Sequence, residues 1–251
     1  MTFKELHYQE SPLILFNVWD IPSVKLAEKL NFDAVGTSSA AIASMLGYDD
    51  GEKISFPELE YIIKRIMDNT QLPVSVDLEA GYGKSPDQVL KNIKKLANTG
   101  ILGINIEDSI VNKNRSLTSR ETFCELIRLA KDYLERNGIK MFLNVRTDAF
   151  LLGVTNPVNE TKKRIRSYEA AGADGIFTPG IVSENHIEEI VNYTKLPINV
   201  MCMPTLPDFD RLAKLGVKRI SMGNFMFDYM YLGLSKVLEQ LVTDKSFKFL
   251  F

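Results

Sequence analysis

Histidine and cysteine are scarce in this chain of 251 residues, which contains two of each. With only His7 and His186 available, a multi-histidine metal site and a Ser-His-Asp triad are both disfavoured. Cys124 and Cys202 lie far apart in sequence and have no nearby Cys or His, which argues against a disulfide framework and against a thiolate zinc site.

An excess of basic charge and long apolar runs are also missing. The net charge of -2 gives no reason to expect nucleic acid as a partner, although it leaves room for a local basic patch. No apolar run approaches the ~20 residues that a bilayer span requires, and the segment Met1-Thr2-Phe3-Lys4-Glu5-Leu6 lacks the pattern of a secretory signal. We therefore expect a soluble, cytoplasmic protein without a membrane partner.

Short apolar runs bounded by turn residues alternate with segments of helical periodicity, and this alternation predicts the fold class. Eight such runs are predicted as strands: Leu13–Val18, Ala34–Gly36, Val74–Asp77, Gly103–Glu107, Met141–Arg146, Gly175–Phe177, Ile198–Met201 and Arg219–Met222. Eight strands alternating with helices predict an α/β protein, a single (β/α)8 barrel domain over residues 1–251. An open doubly wound sheet is the alternative, and it is weakened because no Gly-rich dinucleotide fingerprint follows an early strand.

Charged residues stand where several of these strands end. The group comprises Asp77, Glu79, Glu107, Asp108, Arg146 and Asp148. The carboxyl ends of barrel strands meet at one face, where barrel enzymes have their active sites. Carboxylates beside a guanidinium at that face predict a hard-cation site for a small anionic substrate. The alternative is that Asp77 and Glu79 only cap a turn before the next helix, and that Asp108 and Asp148 only orient a neighbouring Arg or Lys.

Further polar residues fall at the same predicted edge. They include Asn17 and Asp20, the hydroxyl run Thr37-Ser38-Ser39, and Asn199. The connection from Thr37 to Ser55 is long for a βα loop and carries Asp49, Asp50 and Glu52, so we predict that it is functional. The hydroxyl run could instead satisfy turn backbone groups, and the stretch 112–116 with Lys113 and Arg115 could be an exposed loop.

These segments together resemble the isocitrate lyase and phosphoenolpyruvate mutase superfamily, in particular its short phosphonomutase-like bacterial branch. The resemblance rests on Asn17-Val18-Trp19-Asp20, Gly36-Thr37-Ser38-Ser39-Ala40, Leu46-Gly47-Tyr48-Asp49-Asp50-Gly51-Glu52, Asp77-Leu78-Glu79-Ala80-Gly81-Tyr82-Gly83, Gly103-Ile104-Asn105-Ile106-Glu107-Asp108 and Arg146-Thr147-Asp148-Ala149-Phe150. It runs in order from about residue 13 to about residue 235. It implies an α/β barrel whose last helix is exchanged between subunits of a homo-oligomer, a dimer or a dimer of dimers.

The resemblance also implies a role for each matching residue. Asp77 would bind Mg²⁺ or Mn²⁺ directly, and metal-bound waters would be held by Glu79, Asp50 and Glu107. The carboxylate of a pyruvate-like 2-oxo acid would pair with Arg146. Groups around Ser38 and Ser39 would contact that carboxylate and the enolate oxygen. One or two direct carboxylates, with the others acting through water, is the arrangement that Mg²⁺ prefers.

Departures from the superfamily pattern reduce the number of reactions that we expect this chain to catalyse. Its lyase branches carry Lys-Lys-Cys-Gly-His in the loop after the fourth strand, whereas this chain has Ser109-Ile110-Val111-Asn112-Lys113-Asn114-Arg115-Ser116. Isocitrate or methylisocitrate cleavage is therefore not expected. The phosphonomutase branch has Lys and Asn two apart, and here Lys113 matches while Arg115 replaces the Asn.

The sequence thus predicts a Mg²⁺-dependent lyase, hydrolase or mutase acting on a small 2-oxo acid, with oxaloacetate-like C–C cleavage slightly favoured over phosphonopyruvate chemistry. We assign catalysis to Arg146, Lys113 and Ser38, and substrate binding to these serines and Arg146 together with Asn199 and Arg115. A non-catalytic 2-oxo acid sensor is the principal alternative. A Schiff-base aldolase is disfavoured because none of the eight strands ends in Lys.

Overall fold

A closed barrel of eight parallel strands forms the centre of the computed structural model, which describes residues 1–111 and 113–251. The strands are β1 Leu13–Val18, β2 Val35–Thr37, β3 Val74–Asp77, β4 Gly103–Glu107, β5 Ser109–Val111, β6 Arg115–Leu117, β7 Phe142–Arg146, β8 Gly175–Phe177, β9 Ile198–Met201 and β10 Arg219–Ser221. The order around the barrel is β1-β10-β9-β8-β7-β4-β3-β2, and β5 pairs with β6 as a separate antiparallel hairpin. The predicted barrel is confirmed, and each predicted strand lies within one residue of its observed bounds.

Helices alternate with the barrel strands around the outside. They are α1 Ile21–Lys29, α2 Ser39–Met45, α3 Phe56–Met67, α4 Pro86–Ala97, α5 Arg120–Arg136, α6 Pro157–Ala171, α7 Glu184–Val191, α8 Phe209–Lys214 and α9 Phe225–Asp244, with short 3₁₀ helices at Glu5–Tyr8 and Lys248–Leu250. Local capping starts many of them. For example, Ser85 Oγ accepts a hydrogen bond from Gln88 N at the start of α4. The long connection predicted from Thr37 to Ser55 is not all loop, because it contains α2.

The inside of the barrel is polar, whereas the layer between strands and helices is apolar. Asn144 Nδ2 donates to Asn105 Oδ1 at 2.8 Å and to Asn199 Oδ1 at 3.0 Å. Arg219, only 1% exposed, also donates to Asn105 Oδ1, at 3.1 Å. Buried polar groups are costly unless they are hydrogen-bonded, and these interior side chains largely satisfy one another.

The N-terminal segment packs against the opposite end of the barrel from the strand ends that carry the charged residues. Phe3 and Leu6 belong to a small buried cluster with Leu13 and Phe142, which are the first residues of β1 and β7. The His7 ring stacks on Phe142 with a centroid distance of 4.0 Å, and its Nδ1 lies 2.9 Å from the Phe3 carbonyl oxygen. This segment therefore closes the N-terminal end of the barrel.

Among the described residues, no helix is both long enough and apolar enough to cross a lipid bilayer.

Candidate active site

A cavity of about 210 Å³ opens at the C-terminal ends of the barrel strands. It is lined by six residues that the sequence analysis singled out as site residues: Ser38, Ser39, Asp50, Asp77, Arg115 and Arg146. Other parts of the lining come from Asn17, Asn105 and Phe177. A cavity of this size fits a small carboxylic acid and is below the usual range of about 300–1,000 Å³ for sites that take larger ligands.

Two neighbouring strands, β2 and β3, position Asp77 and the two serines. Ser39 Oγ donates to Asp77 Oδ2 at 2.7 Å, and Thr37 Oγ1 accepts from Asp77 N at 2.9 Å. Ser38 Oγ caps α2 by accepting from Ala41 N at 3.2 Å, so this hydroxyl also has the backbone role that we considered as the alternative. No described residue donates a hydrogen bond to the second oxygen of Asp77, Oδ1, which leaves that atom available for a ligand.

Glu79 lies behind the cavity and connects two loops. It has a left-handed backbone conformation, with φ of 50°, and its residue is only 3% exposed. Its carboxylate accepts hydrogen bonds from Glu52 N, at 2.9 Å, and from the Tyr82 hydroxyl. Burial, together with the charges of Asp50 and Asp77, raises the pKa of Glu79 to about 7. Glu79 thus ties the loop after α2 to the turn after β3, and it does not itself line the cavity.

Arg146 at the end of β7 is held by two carboxylates. Its Nε and Nη2 donate to the two oxygens of Asp148 at 2.6 and 3.2 Å, and its Nη1 lies 2.9 Å from Glu107 Oε2. Burial raises the pKa of the Glu107 carboxyl, and the guanidinium groups of Arg146 and Arg115 oppose that rise. A guanidinium has five N–H donors, so Arg146 keeps donors for a ligand while its orientation is fixed.

The hairpin of β5 and β6 brings Arg115 over the cavity. The Arg115 Nη1 donates to Glu107 Oε1, and its Nη2 lies 3.3 Å from Asp50 Oδ2. Arg115 therefore bridges two of the four carboxylates predicted for the metal site. Lys113, by contrast, lies exposed in the turn of the hairpin, outside the lining of the cavity. Its neighbour Asn112, part of the predicted polar stretch, lies outside the described residues.

Asp108 belongs to a buried network next to the site. Its Oδ2 accepts from Arg164 Nη1 at 2.9 Å and from the Tyr168 hydroxyl at 2.7 Å, and its Oδ1 accepts from Asp148 N at 3.0 Å. Asp108 is fully buried and does not line the cavity. Asp108 therefore orients Arg164, which agrees with the alternative interpretation of this residue, and fixes the backbone at Asp148.

Asn199 is not at the cavity either. Its side chain lies inside the barrel, where it accepts from Asn144 and donates to the Val200 carbonyl oxygen at 2.7 Å. Among the buried polar residues of the strands, Asn105 does line the cavity, although the sequence did not predict it as a site residue. Asn105 Oδ1 accepts hydrogen bonds from Asn144 and Arg219. The side-chain nitrogen of Asn105, Nδ2, is therefore the atom that could donate to a ligand.

The oxygen atoms that could act as metal ligands here fit a hard divalent cation bound directly by few protein atoms. In the ranges 1–111 and 113–251, no three Asp, Glu, His or Cys residues converge closely enough to enclose an ion. Burial, followed by the charge of Asp77, raises the pKa of Asp50. Glu107 Oε2 is buried and makes no well-directed hydrogen bond within the described structure. Oxygen-only donors with unbalanced negative charge suit Mg²⁺ or Mn²⁺ bound directly by one carboxylate and otherwise through water.

The fold and this cavity define a barrel enzyme whose charged site lies at the C-terminal strand ends. Comparison with known proteins then identifies the family. The sequence profile of the phosphoenolpyruvate phosphomutase family matches residues 3–242, and the chain belongs to this family, within the superfamily of phosphoenolpyruvate mutases and isocitrate lyases. The resemblance inferred from the sequence is confirmed, and so is the prediction of an enzyme of the lyase and mutase type.

Individual relatives cover most of the chain. The uncharacterized protein Rv1998c of Mycobacterium tuberculosis H37Rv is 30% identical over 89% of this chain and 82% of its own length. Oxaloacetate decarboxylase 1 of Pseudomonas fluorescens Pf0-1 is 32% identical over 86% of this chain and 75% of its own length. A crystal structure from Burkholderia cenocepacia J2315, of a protein provisionally assigned as a phosphonomutase, superposes with a TM-score of 0.87 at 37% identity and covers 96% of this chain and 97% of its own.

Proposed function

We propose that this protein is a Mg²⁺-dependent enzyme that cleaves a C–C bond in a small 2-oxo acid of the oxaloacetate type through an enolate. The observation that carries this proposal is the cavity of about 210 Å³ in which Arg146, Asp77 and the serines after β2 face one space. The 32% identity to an oxaloacetate decarboxylase supports C–C rather than P–C chemistry.

Substrate binding is assigned to the cations and donors of the cavity. Arg146, fixed by Asp148, would bind the carboxylate next to the keto group, since a planar fork suits a carboxylate. The Asn105 amide group and groups around Ser38 and Ser39 would donate to the keto oxygen, where negative charge develops. Arg115, on the hairpin, would face the distal carboxylate.

The metal is assigned to Asp77 as the direct ligand, with its waters held by Asp50, which lines the cavity, and by Glu79 and Glu107, which lie outside the lining but close enough to interact with the charge of Asp77. When bound, a divalent cation would stabilise the negative charge of an enolate oxygen. The free Oδ1 of Asp77 and the surrounding carboxylates support this assignment.

Decarboxylation fits the cavity better than cleavage of a hydroxy acid. Cleavage of a 2-hydroxy acid requires a base to remove the hydroxyl proton, whereas loss of CO₂ from a 2-oxo acid requires none. Within the described residues, no His or Cys lines the cavity, and the carboxylates that do line it, Asp50 and Asp77, are assigned to the metal. The absence of a His or Cys that could protonate the enolate favours a non-catalytic sensor as the second candidate, which would bind the acid without turning it over.

The proposal is tested by following oxaloacetate consumption and pyruvate formation with Mg²⁺, with Mn²⁺ and with a chelator. We expect metal-dependent pyruvate formation, abolished by Asp77→Asn and retained by Asp87→Asn, an exposed aspartate on α4. Turnover of phosphonopyruvate in place of oxaloacetate would establish P–C chemistry instead. Calorimetric binding of oxaloacetate without turnover of either acid would establish the sensor.

We further propose that the protein forms a homo-oligomer through α9. Phe227 at the start of this helix packs on Trp19, with a ring centroid distance of 5.2 Å. Ten other large apolar side chains of the helix are more than a third exposed: Phe225, Met226, Tyr229, Met230, Tyr231, Leu232, Leu234, Val237, Leu238 and Val242. Exposed apolar area of this extent is typical of an interface, and a second copy of the chain is the partner we propose, by exchange of this last helix.

A further inference from the structure

A groove of about 650 Å³ lies on the outside of the barrel between α5 and α6, away from the active site. Four basic side chains line it: Arg120 and Arg128 on α5, and Lys163 and Arg166 on α6. The rest of its lining includes one carboxylate, that of Glu121, and the exposed ring of Tyr193 after α7. The groove thus concentrates positive charge on a protein whose net charge is -2.

The four cations of the groove are not neutralised by the protein. None of them belongs to an ion pair within 4.0 Å anywhere in the described part of the chain. Neighbouring basic residues do have partners: Arg164 binds Asp108, and Lys162 binds Glu189 at 2.6 Å. Like charges close together raise the local potential and favour binding of an anion, which would relieve their repulsion.

The shape of the groove selects the kind of anion. Its volume lies within the range of about 300–1,000 Å³ typical of small-molecule sites. Nucleic-acid contacts follow a longer path, along a charged stripe, whereas these four cations line a single groove. Three guanidinium groups and one ammonium group match several phosphate oxygens, which arginine binds in bidentate fashion.

We propose that this groove between α5 and α6 binds a small molecule bearing a di- or triphosphate group. The phosphates lie between the arginines and Lys163, and the Tyr193 ring forms the side wall that an attached organic group contacts. This site is separate from the cavity at the strand ends and takes a different ligand class from the 2-oxo acid.

The test is calorimetry with pyrophosphate and ATP as probes, without metal, so that the active-site cavity offers the phosphates no bound cation. We compare the wild-type protein with Arg128→Gln/Arg166→Gln, in which two exposed arginines on the two walls are replaced. Lys91→Gln/Arg136→Gln is the matched control, because it removes the same charge from exposed positions outside the groove. Circular dichroism establishes that both variants are folded.

We expect both probes to bind the wild-type protein and the control equally, and the groove variant to bind at least about tenfold more weakly. Binding should also weaken as salt concentration rises. Equal affinity in the groove variant, or no binding of either probe at millimolar concentration, would overturn the proposal. A third outcome would also overturn it: single-stranded RNA that binds the wild-type protein more tightly than ATP does, and that no longer binds the groove variant. This result would assign the groove to nucleic acid.

Discussion

Arg146 donates two hydrogen bonds to Asp148, a residue only two positions further along the chain, with N–O distances of 2.6 and 3.2 Å. Asp148 is itself fixed, because its backbone N–H donates to the buried Asp108 at 3.0 Å. The guanidinium plane is therefore set before any ligand arrives. Preorganisation of this kind lowers the entropy lost when a carboxylate binds.

The first prediction is that Arg146→Lys weakens oxalate binding by about tenfold or more, because an ammonium group cannot present two parallel N–H donors. Calorimetry with oxalate and metal measures the affinity, and circular dichroism checks the fold. Arg211→Lys, which alters an exposed arginine paired with Glu184, should leave the affinity unchanged. An Arg146→Lys variant with wild-type affinity would show that the substrate carboxylate binds elsewhere.

The second prediction concerns the hairpin of β5 and β6, in which Lys113 is exposed and Arg115 lines the cavity. If the hairpin closes over a substrate with two anionic groups, Lys113 would add a second cation beside Arg115. Lys113→Ala should then lower turnover of oxaloacetate by about tenfold or more, the effect of about 1.4 kcal/mol from losing one positioned charge contact.

Pyruvate has no second anionic group, so its affinity for the Lys113→Ala variant should hardly change. Steady-state kinetics with oxaloacetate and calorimetry with pyruvate measure the two quantities. Lys195→Ala, an exposed lysine after α7, is the control. Full activity of Lys113→Ala would mean that the turn between β5 and β6 does not contribute to catalysis. A loss of pyruvate affinity as large as the loss of oxaloacetate turnover would mean that Lys113 has a structural role.

The third prediction concerns the pH dependence of stability. Burial, together with the charge of Arg219, lowers the pKa of His7 to about 3, against an ordinary value of 6.5. The unfolded chain therefore binds more protons than the folded protein between these two pH values. Stability contributed by neutral His7 is present above pH 6.5 and is lost as the pH falls towards 3, with a total effect of about 5 kcal/mol at most.

Urea unfolding of the wild-type protein, His7→Gln and His186→Gln between pH 7 and pH 4 measures this effect. We expect His7→Gln to be less stable at pH 7, where it loses the stacking on Phe142, and to depend less steeply on pH. His186 is exposed, so His186→Gln should follow the wild-type curve. A His7→Gln curve parallel to that of the wild type would show that folding does not lower the pKa of His7.

The strand ends could be predicted from the sequence because buried parallel strands are short apolar runs bounded by turn residues. This signal placed Asp77, Glu107 and Arg146 correctly at the ends of β3, β4 and β7. The family resemblance added Asp50, which periodicity alone does not bring to the cavity. Assignment of these residues to metal and substrate stays a prediction.

Interior residues of the barrel could not be predicted in the same way. Asn105 and Arg219 interrupt no pattern, because a polar residue inside a barrel has the same period as an apolar one. Their importance depends on hydrogen bonds between residues up to 212 positions apart, such as that between Arg219 and His7. The hairpin of β5 and β6 could not be predicted because its two strands are only three residues long.

The last prediction concerns α9, which is anchored by Phe227 on Trp19 while Leu234 and Leu238, one turn apart, are 46% and 49% exposed. Burial of the exposed half of each of two leucines in an interface contributes roughly 1.5–3 kcal/mol of transfer free energy in total, and a glutamate at either position would reverse that contribution. Leu234→Glu/Leu238→Glu should therefore dissociate the homo-oligomer towards the chain mass of 28.4 kDa in light scattering. Gln240→Glu adds a negative charge to the same helix at an exposed polar position and should leave the wild-type mass unchanged. A wild-type protein that already has the mass of one chain, or a double variant that keeps the oligomer mass, would show that α9 does not hold two copies together.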